Sequence, residues 1–183
     1  MGAVLTQNTA WRNAARAVGA LLRAGVRTPA EVLALPEGEL AECLLSSGYY
    51  NQKARKLRAL SALLLKDGGL DWESLSRRDL LAVWGVGFET ADSILLYACS
   101  RPSFVVDAYT CRLLERLGLA AAGQGYPAVQ ALFSAALPPD VELYQEYHAL
   151  IVHHAKQFCR KQPACPVCPL LNLPCLRGKA ASI

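Results

Sequence analysis

Apolar residues recur at intervals of three and four positions along most of the chain. This spacing places them on one face of an α-helix, where they can pack against other helices. No segment alternates between apolar and polar residues with the period of two that a half-buried strand shows. The pattern therefore predicts an all-α protein. The clearest examples are Ala14, Ala17, Val18, Leu21 and Leu22, and then Leu57, Leu60, Leu64 and Leu65.

Two segments carry the signature of a helix start. Thr28 is followed by a proline and by Glu31, and Ser76 is followed by Asp79. In such a capping box the hydroxyl accepts a hydrogen bond from the first turn, and the acidic side chain accepts one from the cap residue. Helices are predicted to begin directly after Thr28 and Ser76.

A glycine-containing segment, Gly85-Val86-Gly87, separates one predicted helix from the next. Glycines allow a tight turn, and the unpaired N–H groups at the start of the following helix favour a phosphate. A glycine-containing connection between two helices is also common without any ligand. Alone, the segment fits either a phosphate-binding hairpin or an ordinary helix connection.

Four cysteines lie close together near the C-terminus, with prolines between them. The prolines exclude regular structure, so the thiols lie on turns that can surround one centre. Four thiolates suit a structural zinc ion or an iron–sulfur cluster, and disulfides are a third possibility. Disulfides would leave an odd thiol, because the chain has seven cysteines. The array is Cys159, Cys165, Cys168 and Cys175, spaced C-x5-C-x2-C-x6-C; Cys43, Cys99 and Cys111 fall in helical patterns and are expected in the core.

Length and composition restrict the class of protein. The 183 residues suffice for one compact unit or two small lobes. No apolar run reaches the length of a membrane span and no targeting segment is recognised, so we expect a cytoplasmic or nucleoid-associated protein. The net charge of +4 argues only weakly for nucleic acid. Local basic clusters argue more strongly, although each can also be a solvated helix face: Lys53, Arg55, Lys56 and Arg58, then Arg77 and Arg78, then Arg160 and Lys161.

Several motifs occur together and in a fixed order. The V-L-T-Q-N-T start, the hairpin with Glu89-Thr90-Ala91, the V-V-D step at Asp107 and the cysteine array resemble the helix–hairpin–helix DNA glycosylases of the endonuclease III family. The resemblance covers nearly the whole chain. It implies a helix–hairpin–helix six-helix barrel domain over residues 1–101 and a helical iron–sulfur cluster domain over residues 102–183. It also implies double-stranded DNA as the partner and a monomeric protein.

In that family the four cysteines bind a [4Fe–4S] cluster, so the resemblance favours iron over zinc. This chain departs from the family's usual C-x6-C-x2-C-x5-C spacing, because its outer loops have five and six residues. The loop that would carry Arg160 and Lys161 towards DNA can therefore differ in shape. The family also has a further N-terminal helix, whereas this chain begins just before the first barrel helix, so part of the cluster domain is expected to be uncovered or packed differently.

The resemblance assigns two catalytic positions. Asp107 matches the carboxylate that stabilises the cationic sugar as the glycosidic bond breaks and that orients the attacking water. It can at the same time cap the helix that follows. Members that also cleave the strand carry a lysine four residues after the first hairpin glycine, where this chain has Glu89. A carboxylate cannot form an imine, so a monofunctional glycosylase without lyase activity is predicted.

The predicted substrate is an alkylated purine. The segments Q-N-T-A-W, ending at Trp11, and G-x-E-T-A-D, containing Glu89, are similar to the 3-methyladenine DNA glycosylase III branch. Two carboxylates facing one pocket would raise the pKa of at least one of them and favour a cationic base. Trp11 can stack on the flipped base or, equally, pack the first helix into the core. The expected pocket walls are Trp11, Phe88 and Tyr109.

The resemblance also predicts the DNA contacts. Side chains of two loops fill the gap left by the flipped base, and the matching positions are Gln7 and Tyr49, with Tyr50 as the alternative to Tyr49. Other functions stay open: a glycosylase for mismatched thymine or uracil, a non-catalytic DNA-binding homologue, and a zinc-stabilised interaction domain. The predicted DNA-binding set is Gln7, Tyr49, Lys53, Gly85, Val86, Gly87, Arg160 and Lys161.

Overall fold

The computed structural model describes residues 1–66 and 72–176 of the chain. Within these residues all regular secondary structure is helical, which confirms the all-α class. None of the helices in these two ranges is long and apolar enough to cross a membrane. In the described residues, short 3-10 turns cover Leu45–Ser47 and Cys165–Val167. The α-helices are α1 (Gly2–Leu5), α2 (Trp11–Arg23), α3 (Pro29–Ala34), α4 (Glu37–Cys43), α5 (Tyr50–Leu64), α6 (Arg77–Ala82), α7 (Phe88–Tyr97), α8 (Ala108–Leu117), α9 (Tyr126–Ala136) and α10 (Val141–Gln157).

The chain divides into two compact units, Met1–Ile94 and Leu95–Ile183. The division falls inside α7, ahead of the boundary after residue 101 that the resemblance implies. In the first unit α5 packs against α3 and α4, and α1 packs against α2 and α5. In the second unit α8 packs against α10.

The apolar face of α2 is narrower than the sequence pattern predicts. Ala14, Ala17 and Leu21 are fully buried, but Leu22 is 48% exposed. Leu21 and Leu22 are consecutive, and consecutive residues of a helix point in directions about 100° apart, so only one of them can face the core. The predicted face of α5 is buried at Leu57 and Leu60.

Both capping boxes are present. The Thr28 hydroxyl accepts a hydrogen bond from the Glu31 amide, and the Glu31 carboxylate accepts one from the Thr28 amide at 2.8 Å. Ser76 and Asp79 form the same reciprocal pair at the start of α6. The predicted starts of α3 and α6 are therefore confirmed, and the second one sets where the helix before the glycine hairpin begins.

Aromatic rings form the core of the second unit. Phe104 stacks on Phe133 with 3.8 Å between ring centroids, and it meets Tyr144 edge-on at 5.2 Å. Val105 and Val106 are also almost fully buried. The segment directly before α8 is thus fixed by packing, and this positions Asp107 at the N-terminus of that helix.

Candidate functional site

The predicted hairpin connects α6 to α7 and is stabilised by backbone hydrogen bonds. The Val86 amide donates to the Val83 carbonyl at 3.1 Å, and the Ala91 amide donates to the Gly87 carbonyl at 2.9 Å. Val86 is buried, whereas Gly85 and Gly87 are exposed. The apolar residue therefore anchors the turn and the two glycines present backbone to solvent, as a phosphate contact requires.

Gly85 is required by both its conformation and its neighbour. Its φ of +80° lies in the left-handed region, where glycine is the preferred residue. A Cβ at this position would lie 2.5 Å from Cε of Lys56, whose side chain passes over the glycine. At Gly87 no heavy atom lies within 4 Å of the corresponding position. The two glycines of the hairpin are thus not equivalent.

Gln7 joins the N-terminal loop to the hairpin. Its Nε2 donates to Thr90 Oγ1 at 2.8 Å and to the Gly85 carbonyl at 3.2 Å. Its Oε1 accepts a hydrogen bond from Lys56 Nζ at 2.6 Å. The side chain that is predicted to fill the gap in DNA is therefore held by three groups of the protein, and it must give these bonds up to enter a duplex.

Lys53 differs from the expectation of a direct DNA contact. It is only 2% exposed, and its ammonium donates to the carbonyls of Leu5 at 3.0 Å and Ser47 at 2.7 Å. Burial lowers its pKa, and the nearby charge of Lys56 adds to this effect. Lys53 is part of the basic cluster in the sequence, but it lies on the inner face of α5 and joins the end of α1, before Gln7, to the end of the 3-10 turn before Tyr49.

Tyr49 fits the predicted insertion loop better than Tyr50. It is 66% exposed and has a φ of 49°, in the left-handed region that L side chains rarely adopt. Tyr50 begins α5 and is 38% exposed. The left-handed backbone at Tyr49 turns its side chain out of the helix that follows.

The predicted pocket residues of the first unit lie at its surface. Trp11 begins α2 and is 62% exposed, so it does not pack α2 into the core. Phe88 is also exposed, and the guanidinium of Arg77 lies 5.0 Å from its ring centroid. Glu89 is exposed in the first turn of α7. Aromatic rings and a carboxylate thus lie at the surface of this unit.

Tyr109 is less suited to stack on a cationic base than the sequence implies. The Arg112 guanidinium lies 5.1 Å from its ring centroid, and the Lys156 ammonium lies 5.7 Å from it. Both cations interact with the negative face of the ring. A positively charged base would have to compete with them.

Asp107 caps α8 and has two carboxylate oxygens in different surroundings. Oδ1 accepts hydrogen bonds from the amide of Thr110 at 2.7 Å and from its hydroxyl at 2.9 Å. Oδ2 lies 3.6 Å from Nε2 of His148. Burial alone would raise the pKa of Asp107, but the contacts with His148 and Thr110 outweigh burial and lower it. The carboxylate is therefore ionised at neutral pH. The sequence predicts a raised pKa for at least one of Asp107 and Glu89, and Asp107 is not that residue.

The four cysteines of the array line one cavity in the second unit, together with apolar residues of α8 and His154 of α10. Cys159 is buried, and its sulfur accepts a hydrogen bond from Arg116 Nη1 at 3.1 Å. The same guanidinium donates to the carbonyls of Arg160 and Lys161. This fixes the first cysteine loop, while the side chains of Arg160 and Lys161 stay exposed. Outside the array, the cysteines expected in the core are only half-buried: Cys43, Cys99 and Cys111.

In the described ranges no three His, Cys, Asp or Glu side chains are arranged to hold one metal ion. Four thiolates on one zinc ion at about 2.3 Å must lie within about 4 Å of each other. In a four-iron cluster each cysteine binds a different iron, so the sulfurs lie farther apart. The four cysteines line one cavity, and zinc and a four-iron cluster would require different distances between their sulfurs.

Three site residues could not be found from the sequence. Tyr97 and His148 lie beside Asp107, and Arg116 binds the first cysteine loop. His148 is 41 positions from Asp107 in the sequence, and no local motif includes either it or Tyr97. For Arg116 the sequence gives only a weak indication. A basic residue in the last turn of a helix is expected to interact with the helix dipole, and this does not predict a contact with the cysteine loop.

Comparisons with known proteins agree with this geometry. The family described as HhH-GPD superfamily base excision DNA repair protein matches residues 1–139, which include the hairpin and Asp107. A candidate DNA repair glycosylase of Methanocaldococcus jannaschii, MJ1434, is 43% identical over 178 residues, covering 93% of this chain and 81% of the relative.

Two solved structures are also similar. The 3-methyladenine DNA glycosylase MagIII of H. pylori, bound to 1,N6-ethenoadenine, has a TM-score of 0.76 and 32% identity, with 85% of this chain and 82% of that chain covered. A trapped covalent intermediate of endonuclease III with DNA has a TM-score of 0.85 and 28% identity, with 100% of this chain and 84% of that chain covered.

Proposed function

Because the chain belongs to the HhH-GPD superfamily of base excision DNA repair proteins, we propose that it is a monofunctional DNA glycosylase for alkylated purines. It hydrolyses the bond between the damaged base and deoxyribose and leaves the strand intact. The observation that carries the proposal is the exposed Glu89 in the first turn of α7, at the position where strand-cleaving relatives have a lysine.

Asp107 supplies the chemistry of base release. Its ionised carboxylate stabilises the positive charge that develops on the sugar and orients the attacking water. The water oxygen bonds to C1′, the electron pair of the glycosidic bond leaves with the base, and the water proton passes to the carboxylate. A base that is already cationic leaves as a neutral molecule and needs no acid.

Two features of the first unit support a cationic aromatic substrate. Trp11 offers an exposed ring face and Glu89 an exposed carboxylate, and both attract positive charge. The similarity to a 3-methyladenine DNA glycosylase points to the same substrate class. The proposed substrates are 3-methyladenine and 7-methylguanine in duplex DNA.

The cavity of the second unit would hold a [4Fe–4S] cluster on Cys159, Cys165, Cys168 and Cys175. When bound, the cluster cross-links turns that have little regular structure of their own. Arg116 keeps Cys159 and the following loop in place, which leaves Arg160 and Lys161 free to contact a phosphate. Freshly purified anaerobic protein should be yellow-brown and contain iron, and a colourless protein that contains zinc would refute this assignment.

A panel of modified duplexes tests the function. The protein is incubated with methylated, uracil-containing and thymine-glycol-containing DNA, and each sample is analysed for free base with and without alkali. Methylated purines should be released fastest, with strand breaks only after alkali. Faster release of uracil or thymine glycol would refute the substrate class, and DNA binding without any base release would favour a non-catalytic homologue.

Borohydride trapping tests the missing lysine. The wild-type protein should form no covalent complex with abasic DNA, because a carboxylate cannot supply the amine for an imine. Glu89→Lys should gain measurable trapping, and Glu89→Gln is the matched variant that gains none. Efficient trapping by the wild type would mean that another amine acts as the nucleophile, and it would refute the monofunctional mechanism.

A further inference from the structure

Three polar side chains from three helices meet at the start of α8. Tyr97 is the last residue of α7, Asp107 caps α8, and His148 lies in the middle of α10. The Tyr97 hydroxyl is 2.9 Å from Nδ1 of His148, and Nε2 of the same ring is 3.6 Å from Asp107 Oδ2. The imidazole thus lies between a phenol and the carboxylate oxygen that Thr110 does not bind.

The tautomer of His148 determines which groups donate in these contacts. The Tyr97 hydroxyl can donate to Nδ1 only when that nitrogen carries no proton, and a neutral imidazole then carries its proton on Nε2. His148 Nε2 is buried, and among the described residues no group lies within hydrogen-bond distance of it. In the tautomer with the proton on Nε2, that proton is available to Asp107 Oδ2, which as a carboxylate oxygen can only accept.

We propose that His148, oriented by Tyr97, is a positioning residue for Asp107: it donates from Nε2 to Oδ2 and holds the carboxylate in its reactive orientation. The inference rests on the proposed function, because it takes Asp107 as the carboxylate that acts on the sugar. Thr110 restrains only Oδ1, so without His148 the second oxygen has no restraint from these groups. Closing the gap from 3.6 Å to about 2.9 Å gives a normal hydrogen bond, and catalytic contacts are commonly longer in the free enzyme.

The arrangement differs from an ordinary structural contact. The side chains of Asp107 and His148 are 13% and 16% exposed, so water competes weakly for their polar atoms. Tyr97 is 50% exposed, and its hydroxyl therefore contributes little to the core. Removing that hydroxyl changes the proton position on His148 while it leaves the packing intact. Tyr97→Phe is therefore a selective probe of positioning.

Three variants and one control test the proposal in the cluster-containing protein. Tyr97→Phe removes the hydroxyl, His148→Leu removes the donor, and His148→Gln keeps an N–H donor of similar length. Tyr147→Phe is the control, because it removes a hydroxyl from the same helix, α10, and keeps the ring that packs on Phe104. The measurements are single-turnover release of 7-methylguanine, the Kd for the duplex, and the ¹⁵N chemical shifts of the His148 ring.

Base release should fall about 10- to 100-fold in His148→Leu and by a smaller factor in Tyr97→Phe, while the Kd changes less than about twofold. His148→Gln should recover part of the loss, and Tyr147→Phe should match the wild type. The ring nitrogen shifts should report a proton on Nε2 in the wild type and a mixture of tautomers in Tyr97→Phe.

Other results would overturn the proposal. Release at the wild-type rate in His148→Leu would do so, as would equal losses in His148→Leu and His148→Gln. A wild type that releases no base at all would refute the proposed function instead. The ¹⁵N shifts would still test the contact between Tyr97 and His148, because a tautomer that does not change in Tyr97→Phe shows that Tyr97 does not orient His148.

Discussion

Arg77 and Asp92 form a two-bond ion pair between the helices on either side of the hairpin. Arg77 Nε donates to Asp92 Oδ1 at 2.7 Å, and Nη2 donates to Oδ2 at 2.8 Å. The Asp92 side chain is fully buried, whereas the Arg77 side chain is 34% exposed. The pair joins α6 to α7. The buried carboxylate therefore helps to fix the two helices that flank the hairpin.

Removing the arginine should destabilise the protein strongly. Arg77→Met leaves the Asp92 carboxylate buried without its cation, and we expect a loss of about 3–5 kcal/mol in the free energy of unfolding. Arg78→Met is the matched control, because Arg78 is exposed, and it should change this free energy by less than about 0.5 kcal/mol. Urea denaturation of both variants measures the difference. Equal stability of the two would mean that Asp92 finds another partner or takes up a proton.

The two hairpin glycines should respond differently to alanine. Gly85→Ala places a Cβ against Lys56 and forces an L side chain into a left-handed backbone, which costs about 1–2 kcal/mol for the conformation alone. It should also displace Lys56 from Gln7 and weaken duplex binding. Gly87→Ala has space for the methyl group, and because its only cost is a poorer N-cap for α7 it should lose less stability than Gly85→Ala. Thermal unfolding and a duplex titration of each variant check this, and similar losses at both positions would contradict it.

Capping and catalysis by Asp107 can be separated by two substitutions. Asn is as good an N-cap as Asp, whereas Ala removes the hydrogen bond to the Thr110 amide. Asp107→Asn should therefore abolish base release with little loss of stability, and Asp107→Ala should abolish it and lose about 0.5–2 kcal/mol as well. Duplex affinity should persist in Asp107→Asn, because phosphate contacts supply most of it. Substantial base release by Asp107→Asn would remove Asp107 from the mechanism.

The lowered pKa of Asp107 predicts how its contribution to stability depends on pH. A carboxyl group whose pKa is lower in the folded state binds fewer protons there than in the unfolded state. Its contribution is therefore complete above the unfolded pKa of about 3.9 and is lost as the pH falls through the folded value. The stability of the wild type relative to Asp107→Asn should be constant from pH 7 to about 5 and then decrease in more acidic solution. Urea denaturation of both proteins across this range measures it, and a difference that grows on acidification would contradict the sign.

The sequence was sufficient where one short segment determines the geometry. The capping boxes at Thr28 and Ser76, the cap at Asp107 and the glycine turn all depend on residues within a few positions of each other. The resemblance to endonuclease III added the order of these motifs and the family. It placed the domain boundary later than the division of the chain at Ile94.

The sequence was insufficient where the geometry depends on distant residues. Lys53 belongs to a basic cluster in the sequence, and only the fold shows that its side chain points inward to the last carbonyls of α1 and of a 3-10 turn. The bonds of Gln7 to Thr90 and Lys56 join residues that are 83 and 49 positions away from it. The contact of His148 with Asp107 also joins distant residues. Neither residue type nor spacing indicates which histidine a carboxylate will contact.

The backbone of Tyr49 sharpens the prediction that this side chain enters the duplex. A residue with φ of 49° is strained unless it is Gly or Asn, so Tyr49→Asn removes the ring and places a residue that tolerates the left-handed backbone, which keeps the loop folded. Stacking of one aromatic ring on a base contributes about 1–3 kcal/mol, and it helps only where a base must be extruded from a stack. Tyr49→Asn should therefore slow base release from duplex DNA about 5- to 150-fold and change release from single-stranded DNA much less.

Tyr50→Asn is the control for this experiment, because Tyr50 is the neighbouring ring, less exposed and in the first turn of α5. It should affect both substrates to the same extent, through the stability of the helix rather than through stacking. If Tyr49→Asn also slowed both substrates equally, Tyr49 would be a packing residue. A selective loss on duplex DNA in Tyr50→Asn alone would instead assign the insertion to Tyr50, and the left-handed turn at Tyr49 would then serve to direct its neighbour into the stack.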